Sequence, residues 1–206
     1  MSRSHKKNVP KRGDIFLIGV CLLAALVCCG LWLGFRKDGG AVVVEMLRQR
    51  PDLCDAALVE SAALIPDRLT HALVGPAFGS SYGLIQKLWF ARLQFRSLHM
   101  DTALFEDYYR DSCLIQKQDM IAFMKANTSY TLKDSFRDSA AKAHVYVGEK
   151  ETGEILRSAD AICRALPSVS LHRLPELRHG EFSLNHADRY ADAIRQIVRG
   201  EQSTSD

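Results

Sequence analysis

Apolar and polar positions divide the 206-residue chain into an unbroken apolar run, a helix-patterned middle and a last third where strands and helices alternate. The run from Ile15 to Phe35, IFLIGVCLLAALVCCGLWLGF, holds no charge. As a helix rising about 1.5 Å per residue it spans roughly 30 Å of hydrocarbon, which predicts a single transmembrane helix. Trp32 and Phe35 fall where an aromatic belt belongs, and Arg36 and Lys37 close the run. A cleaved signal peptide fits less well, because its apolar core is about 7–15 residues and no A-x-A-like site follows. A lipoprotein signal is weaker still, since a bulky Leu-Val-Cys precedes Cys29.

Downstream, AVVVEMLRQR (Ala41–Arg50) has the spacing of a short amphipathic helix stopped by Pro51. DAALVESAA (Asp55–Ala63) is a compact apolar run suited to a buried strand. From Pro66 to about Lys133 the period is helical, with Leu84, Leu88, Phe90, Leu93, Phe95 and Leu98 on one broad face. Breaks are predicted at Gly75-Pro76 and Gly79–Gly83. The rhythm then changes. AHVYV (Ala143–Val147) reads as a strand, Ile155–Leu166 as a helix closed by Pro167, Val169–Leu174 as a strand and Ala187–Val198 as an amphipathic helix. Strand, helix, strand, helix is the alternation of an α/β protein with a parallel sheet. The tail 201–206 is predicted to be disordered.

Composition narrows the functional classes. Hydrophobic residues at 47% and charged residues at 25% suit one globular domain. The net charge of +3 owes much to Arg3, Lys6, Lys7, Lys11 and Arg12 in the tail 1–14. That cluster precedes the apolar run, so it reads as a membrane flank with a cytoplasmic N-terminus and the folded part outside. No basic stripe with interleaved aromatics follows, which argues against a nucleic-acid partner. Of six cysteines, Cys21, Cys28 and Cys29 lie in the run, while Cys54, Cys113 and Cys163 are scattered without C-x-x-C pairing. Neither a disulfide framework nor a zinc site is expected, and free thiols favour a reducing compartment. The side of the membrane therefore stays open. His71, His99, His144, His172 and His186 share no metal-ligand spacing, FEDYYRD (Phe105–Asp111) reads as a polar helix face, and no glycine-rich phosphate loop exists. No metal and no cofactor are expected.

Candidate chemistry lies at the strand ends. Functional residues of open parallel sheets sit past the carboxyl ends of strands. Glu151 follows Gly148 after the first strand of the last third, and His179 lies in the loop after the second. A carboxylate there can accept the imidazole N–H, fix its tautomer and stabilise the imidazolium. The bland alternative is a solvated turn at Glu149–Glu151 and a surface histidine.

VYVGEKE, with the later LPELRHGEFSLNHADRYADAI, resembles the C-terminal end of α/β-hydrolase proteins, where a strand ends in Gly-x-x-acid and a loop presents His-Gly before the last helix. The resemblance implies that Glu151 takes the acid's place and His179 the histidine's. It extends back to Gly39, with GGAVVVEMLRQRPDLCDAALVESA resembling the helix after the nucleophile elbow and the next strand. It makes 39–200 the back half of such a fold and 66–133 its inserted helical cap. Residues 1–38 resemble the leader of small bacterial membrane proteins that carry a NusG-type domain II.

One departure matters. The family's nucleophile sits in G-x-S-x-G at a strand-to-helix turn, and Phe35-Arg-Lys-Asp-Gly-Gly stands there without a serine. Gly79-Ser80-Ser81-Tyr82-Gly83 matches the pattern, and Ser81, Glu151, His179 follow the family's order, but HALVGPAF before it is a poor strand. The expectation is a hydrolase-like protein for an ester or amide, truncated, without its nucleophile and inactive alone. A fusion or frameshift would account for the junction with the apolar run. The alternatives are a membrane-anchored interaction protein and a serine hydrolase using Ser81. A half sheet would also call for a partner chain along its exposed edge.

Overall fold

The structure, a computed structural model, describes residues 39–98 and 100–200. The first element, α1 (Gly39–Gln49), turns Val44 and Leu47 inward, leaves Val42 and Met46 exposed, and ends before Pro51, whose ring cannot continue a helix. Three strands follow along the chain, β1 (Ala56–Glu60), β2 (Lys142–Gly148) and β3 (Ser170–Leu174), forming a parallel sheet in that order. Strand alternation sorts the side chains. Val59, Val145 and Leu171 are aligned across the sheet by its register and share one face. That face packs on α1 and on α6 (Gly153–Ala165), whose Ile155, Ala159 and Ile162 recur at helical spacing. Each such fully buried aliphatic side chain contributes about 1.5–3 kcal/mol.

The opposite face carries an aromatic array. His144 and His172 stack at 5.8 Å, Tyr146 stacks on His172 at 4.3 Å and on Phe182 at 5.2 Å. Phe182, from α7 (Glu181–Asn185), meets Tyr190 of α8 (Ala187–Arg199) edge-on at 5.3 Å. In this last helix Ala193 is buried while Ile194 is 41% and Val198 79% exposed, so the buried face is narrower than the amphipathic spacing suggests. One buried polar group inside the core is fully used: Ser158 accepts from the Leu64 amide at 3.1 Å and donates to the Glu154 carbonyl at 2.9 Å.

Between β1 and β2 the described residues form four α-helices, α2 (Arg68–Ser81), α3 (Leu88–Ser97), α4 (Phe105–Leu114) and α5 (Lys117–Ser129), with short 3-10 turns between them. The break predicted at Gly75-Pro76 does not occur: α2 runs through both residues to Ser81. Pro76 removes one N–H from the ladder, and the helix is otherwise held by its N-cap, where Asp67 accepts from the Thr70 amide at 3.0 Å. α2 and α5 close a second apolar cluster built on Val74, Phe78, Phe90, Met120 and Met124.

The transmembrane expectation is corrected here. Crossing a bilayer takes about 20 apolar residues in one helix. Among the described residues no helix is long and apolar enough, and the longest, α2, has 14 residues and includes Arg68 and His71. The run Ile15–Phe35 lies outside the described residues, as do the basic tail, His99, Cys21, Cys28, Cys29 and the tail 201–206. The described fold therefore contains no spanning helix, and a single-pass membrane localisation is not supported.

Candidate functional site

Two loops leave the carboxyl ends of β2 and β3, and backbone hydrogen bonds tie them together. Glu149 N–H donates to the Leu174 carbonyl at 3.0 Å and Lys150 N–H to the Leu177 carbonyl at 3.0 Å. Close approach requires the glycine that ends β2: a Cβ on Gly148 would lie 2.2 Å from the Leu177 carbonyl oxygen. Lys150 and Glu176 add an ion pair across the two loops. With the loops clamped, Glu151 and His179 meet. Glu151 Oε2 lies 3.0 Å from His179 Nδ1, the carboxylate side chain having no exposed surface and the ring 15%. Nδ1–H donates to the carboxylate in this arrangement, so the neutral ring is held as the tautomer whose Nε2 is free to accept a proton.

The carboxylate has a second partner that spacing and motif did not single out. Ser61, immediately after β1, donates its hydroxyl to Glu151 Oε1. Its backbone has φ of +49°, in the left-handed region that non-glycine residues seldom occupy. Its amide donates to the Tyr146 carbonyl at 3.0 Å, which locks the turn onto β2. Gly40 of α1 packs on the same turn, where a Cβ would lie 2.3 Å from the Glu60 carbonyl oxygen. Nothing in ALVESAA marks that turn, because its conformation is imposed by β2 and α1, which are far away in the chain.

A cavity of about 380 Å³ opens beside the pair, lined by Gly39, Gly40, Glu60, Ser61, His179, Ser183 and Tyr190 among others. Glu60 Oε1 accepts from the Ser183 amide at 3.3 Å and so holds the start of α7 against β1. Gly180 reaches φ of +68° at the entry to that helix.

Ser81 is not brought to this site. It is the last residue of α2, and its hydroxyl donates to the Ala77 carbonyl at 2.6 Å, within its own helix. A strand-to-helix elbow is absent there, since a helix precedes Ser81. His71 sits 3.0 Å from Thr128 Oγ1, and His144 and His172 belong to the aromatic array. Burial pushes both of those imidazoles below their ordinary pKa. Asp107 of FEDYYRD pairs with Arg110 at 2.7 Å in a helix with no buried residue. Among the described residues no group of three or more His, Cys, Asp or Glu side chains could hold a metal ion.

No protein-family model matches the chain, and no curated protein sequence matches it. Solved structures do. An esterase from Exiguobacterium antarcticum superposes with a TM-score of 0.63 at 14% identity, over 79% of this chain and 65% of that one. A thermophilic esterase from Thermogutta terrifontis gives 0.59 at 13% identity, over 80% and 63%. The 2-hydroxy-6-oxo-6-phenylhexa-2,4-dienoate hydrolase of Rhodococcus sp. strain RHA1 gives 0.59 at 12%, over 79% and 62%. The fold is therefore that of the α/β-hydrolases, and the chain spans a little under two thirds of the length of these proteins. The likeness of residues 1–38 to NusG-type membrane proteins receives no support from any of the three comparisons.

Proposed function

We propose that the described part of this chain is the acid–base half of an acyl-hydrolase site for an ester or amide. His179 is the general base and Glu151 the carboxylate that orients it. One observation carries the reading: two residues 28 positions apart meet at 3.0 Å, the carboxylate buried and the ring on the wall of a cavity. Nε2 can then take a proton from an attacking hydroxyl and return it to the leaving group. Gly39 and Gly40 of α1 line the same cavity wall.

In this reading the chain does not turn over esters unaided. Among the described residues the serines near the pair donate elsewhere: Ser61 to Glu151, and Ser183 to the Gly180 carbonyl at 3.5 Å. A partner chain adding a strand beside β1 would extend the site, because among the described residues β1 pairs with β2 alone and its other edge is open.

Chemical rescue tests both halves of the proposal. Hydroxylamine can attack a p-nitrophenyl ester, give up its proton to His179 and release p-nitrophenolate, leaving a hydroxamate. The wild type and His179→Ala are expected to hydrolyse the ester equally slowly in water, with no labelling by a fluorophosphonate probe. With hydroxylamine the wild type should exceed the variant by about 100-fold, the low end of general-base effects. No histidine-dependent gain would sink the base assignment. Histidine-dependent hydrolysis in water, or probe labelling, would sink the incompleteness; labelling lost in Ser81→Ala would return the nucleophile to Ser81.

A second reading, a ligand-binding module without turnover, is favoured by the cavity itself, which persists beside a histidine that no serine hydroxyl contacts among the described residues. It predicts saturable ester binding with no rescue.

A further inference from the structure

Glu151 has two oxygens, and each is held by a different part of the chain. His179 takes Oε2 from the loop after β3, and Ser61 takes Oε1 from the turn after β1. A carboxylate held at one oxygen only can rotate about its last torsion, which is broad for such groups, and present either oxygen to the ring. A donor at the second oxygen removes that freedom and satisfies a lone pair that burial would otherwise leave empty. The hydroxyl reaches this place because Ser61 adopts φ of +49°, a conformation that glycine would enter more easily. A serine kept where glycine suits the backbone, 4% exposed and hydrogen-bonded to the acid, is held there by what its side chain does.

We propose that Ser61 is a positioning residue: its hydroxyl fixes the Glu151 carboxylate so that His179 is locked as the Nδ1–H tautomer with Nε2 toward the cavity. The inference rests on the acid–base reading above, and its readout does not depend on turnover. Both amide and hydroxyl of Ser61 contribute, the first to β2 through Tyr146, the second to Glu151. Three consecutive elements of the site, the turns after β1, β2 and β3, thereby converge on one carboxylate.

The test is ¹⁵N NMR of the His179 ring in the full chain, above the pH at which imidazole protonates, with Ser61→Gly as the main variant. Glycine removes the hydroxyl and eases the backbone, so the protein should fold at least as well as the wild type. The wild type is expected to show widely separated ring-nitrogen shifts, one protonated and one bare. In Ser61→Gly the two should move toward each other as the second tautomer becomes populated, and Ser61→Cys, which restores a weaker donor, should recover part of the separation. Wild-type shifts in Ser61→Gly would overturn the inference and reduce Ser61 to a turn residue. Glu151→Leu, close in volume but without an acceptor, sets the scale. If even that variant keeps the wild-type shifts, the acid–histidine pairing itself fails, and the Ser61 inference with it.

Discussion

The sheet and the helices inserted into it are built to different tolerances. In the sheet, every strand contributes to a common core: Val59, Ala143 and Val145 are buried between α1 and α6, and the turns at the strand ends are locked by backbone hydrogen bonds. The inserted helices close on a smaller cluster around Phe78 and Phe90. α4 buries no residue at all, Trp89 is 62% exposed and Leu114 74%. Inside the helical region Asp67 and His71 reach Thr128 to fasten α2 to α5. The central strand β2, buried on both faces, leaves no slack, whereas a helix needs to bury only one stripe. The acid and the histidine sit on the stiff part, which is why loops rather than regular elements can hold them at hydrogen-bond distance.

Gly148→Ala is the most severe way to break that contrast. Its Cβ would meet backbone at Leu177, with no flexible side chain to yield, so the loop carrying His179 must move. A destabilisation of at least about 3 kcal/mol is expected, by urea unfolding, at the upper end of overpacking costs. A matched stability there would mean the two loops are less tightly clamped than their hydrogen bonds imply. Next in size, Ile162→Ala in the sheet core should cost about 3 kcal/mol, and Met124→Ala in the helical cluster nearer 2, because the looser region can collapse around the lost volume. Equal costs would erase the distinction between the regions.

The smallest effect is that of pH on the sheet's aromatic face. Burial lowers the pKa of His144 and His172, and for His144 the neighbouring His172 and Lys142 lower it further. The unfolded rings titrate near about 6.5. Above that pH the contribution of the two neutral rings is fully present; as pH falls below it, the unfolded chain binds protons that the folded one refuses, and stability declines toward the lowered folded values. Thermal melting should therefore drop between pH 7.5 and 5.5, and His172→Phe, which keeps the stack without a titrating group, should drop less. An identical loss in the variant would place the pH dependence elsewhere.

Much of the chain was legible because its signals are local. Pro51 and the spacing of Val44 and Leu47 mark α1, and AHVYV ending at Gly148 marks β2. Glu151 and His179 could be singled out because strand ends are where a parallel sheet presents chemistry, and because the flanking residues resemble a known pattern. Other features were misread or missed. Gly75-Pro76 signalled a break that α2 does not make, since one missing N–H can be tolerated when both flanks are anchored. The apolar run Ile15–Phe35 has the length of a membrane span, yet no described helix is of that kind. Ser81 matched the G-x-S-x-G pattern and the family's residue order, yet the helix it closes turns its hydroxyl back on Ala77.

By itself, then, the sequence determined the order of strands and helices, their parallel arrangement and the two residues at the strand ends, because periodicity, proline and glycine act over a few neighbours. Tertiary structure alone decided that Glu151 and His179 would touch, and that Ser61 would complete their contact. Those outcomes depend on β1, β2 and β3 lying side by side, with Gly40 and Gly148 allowing backbones to approach within the reach of a side chain. No local pattern encodes a distance between residues that far apart in the chain.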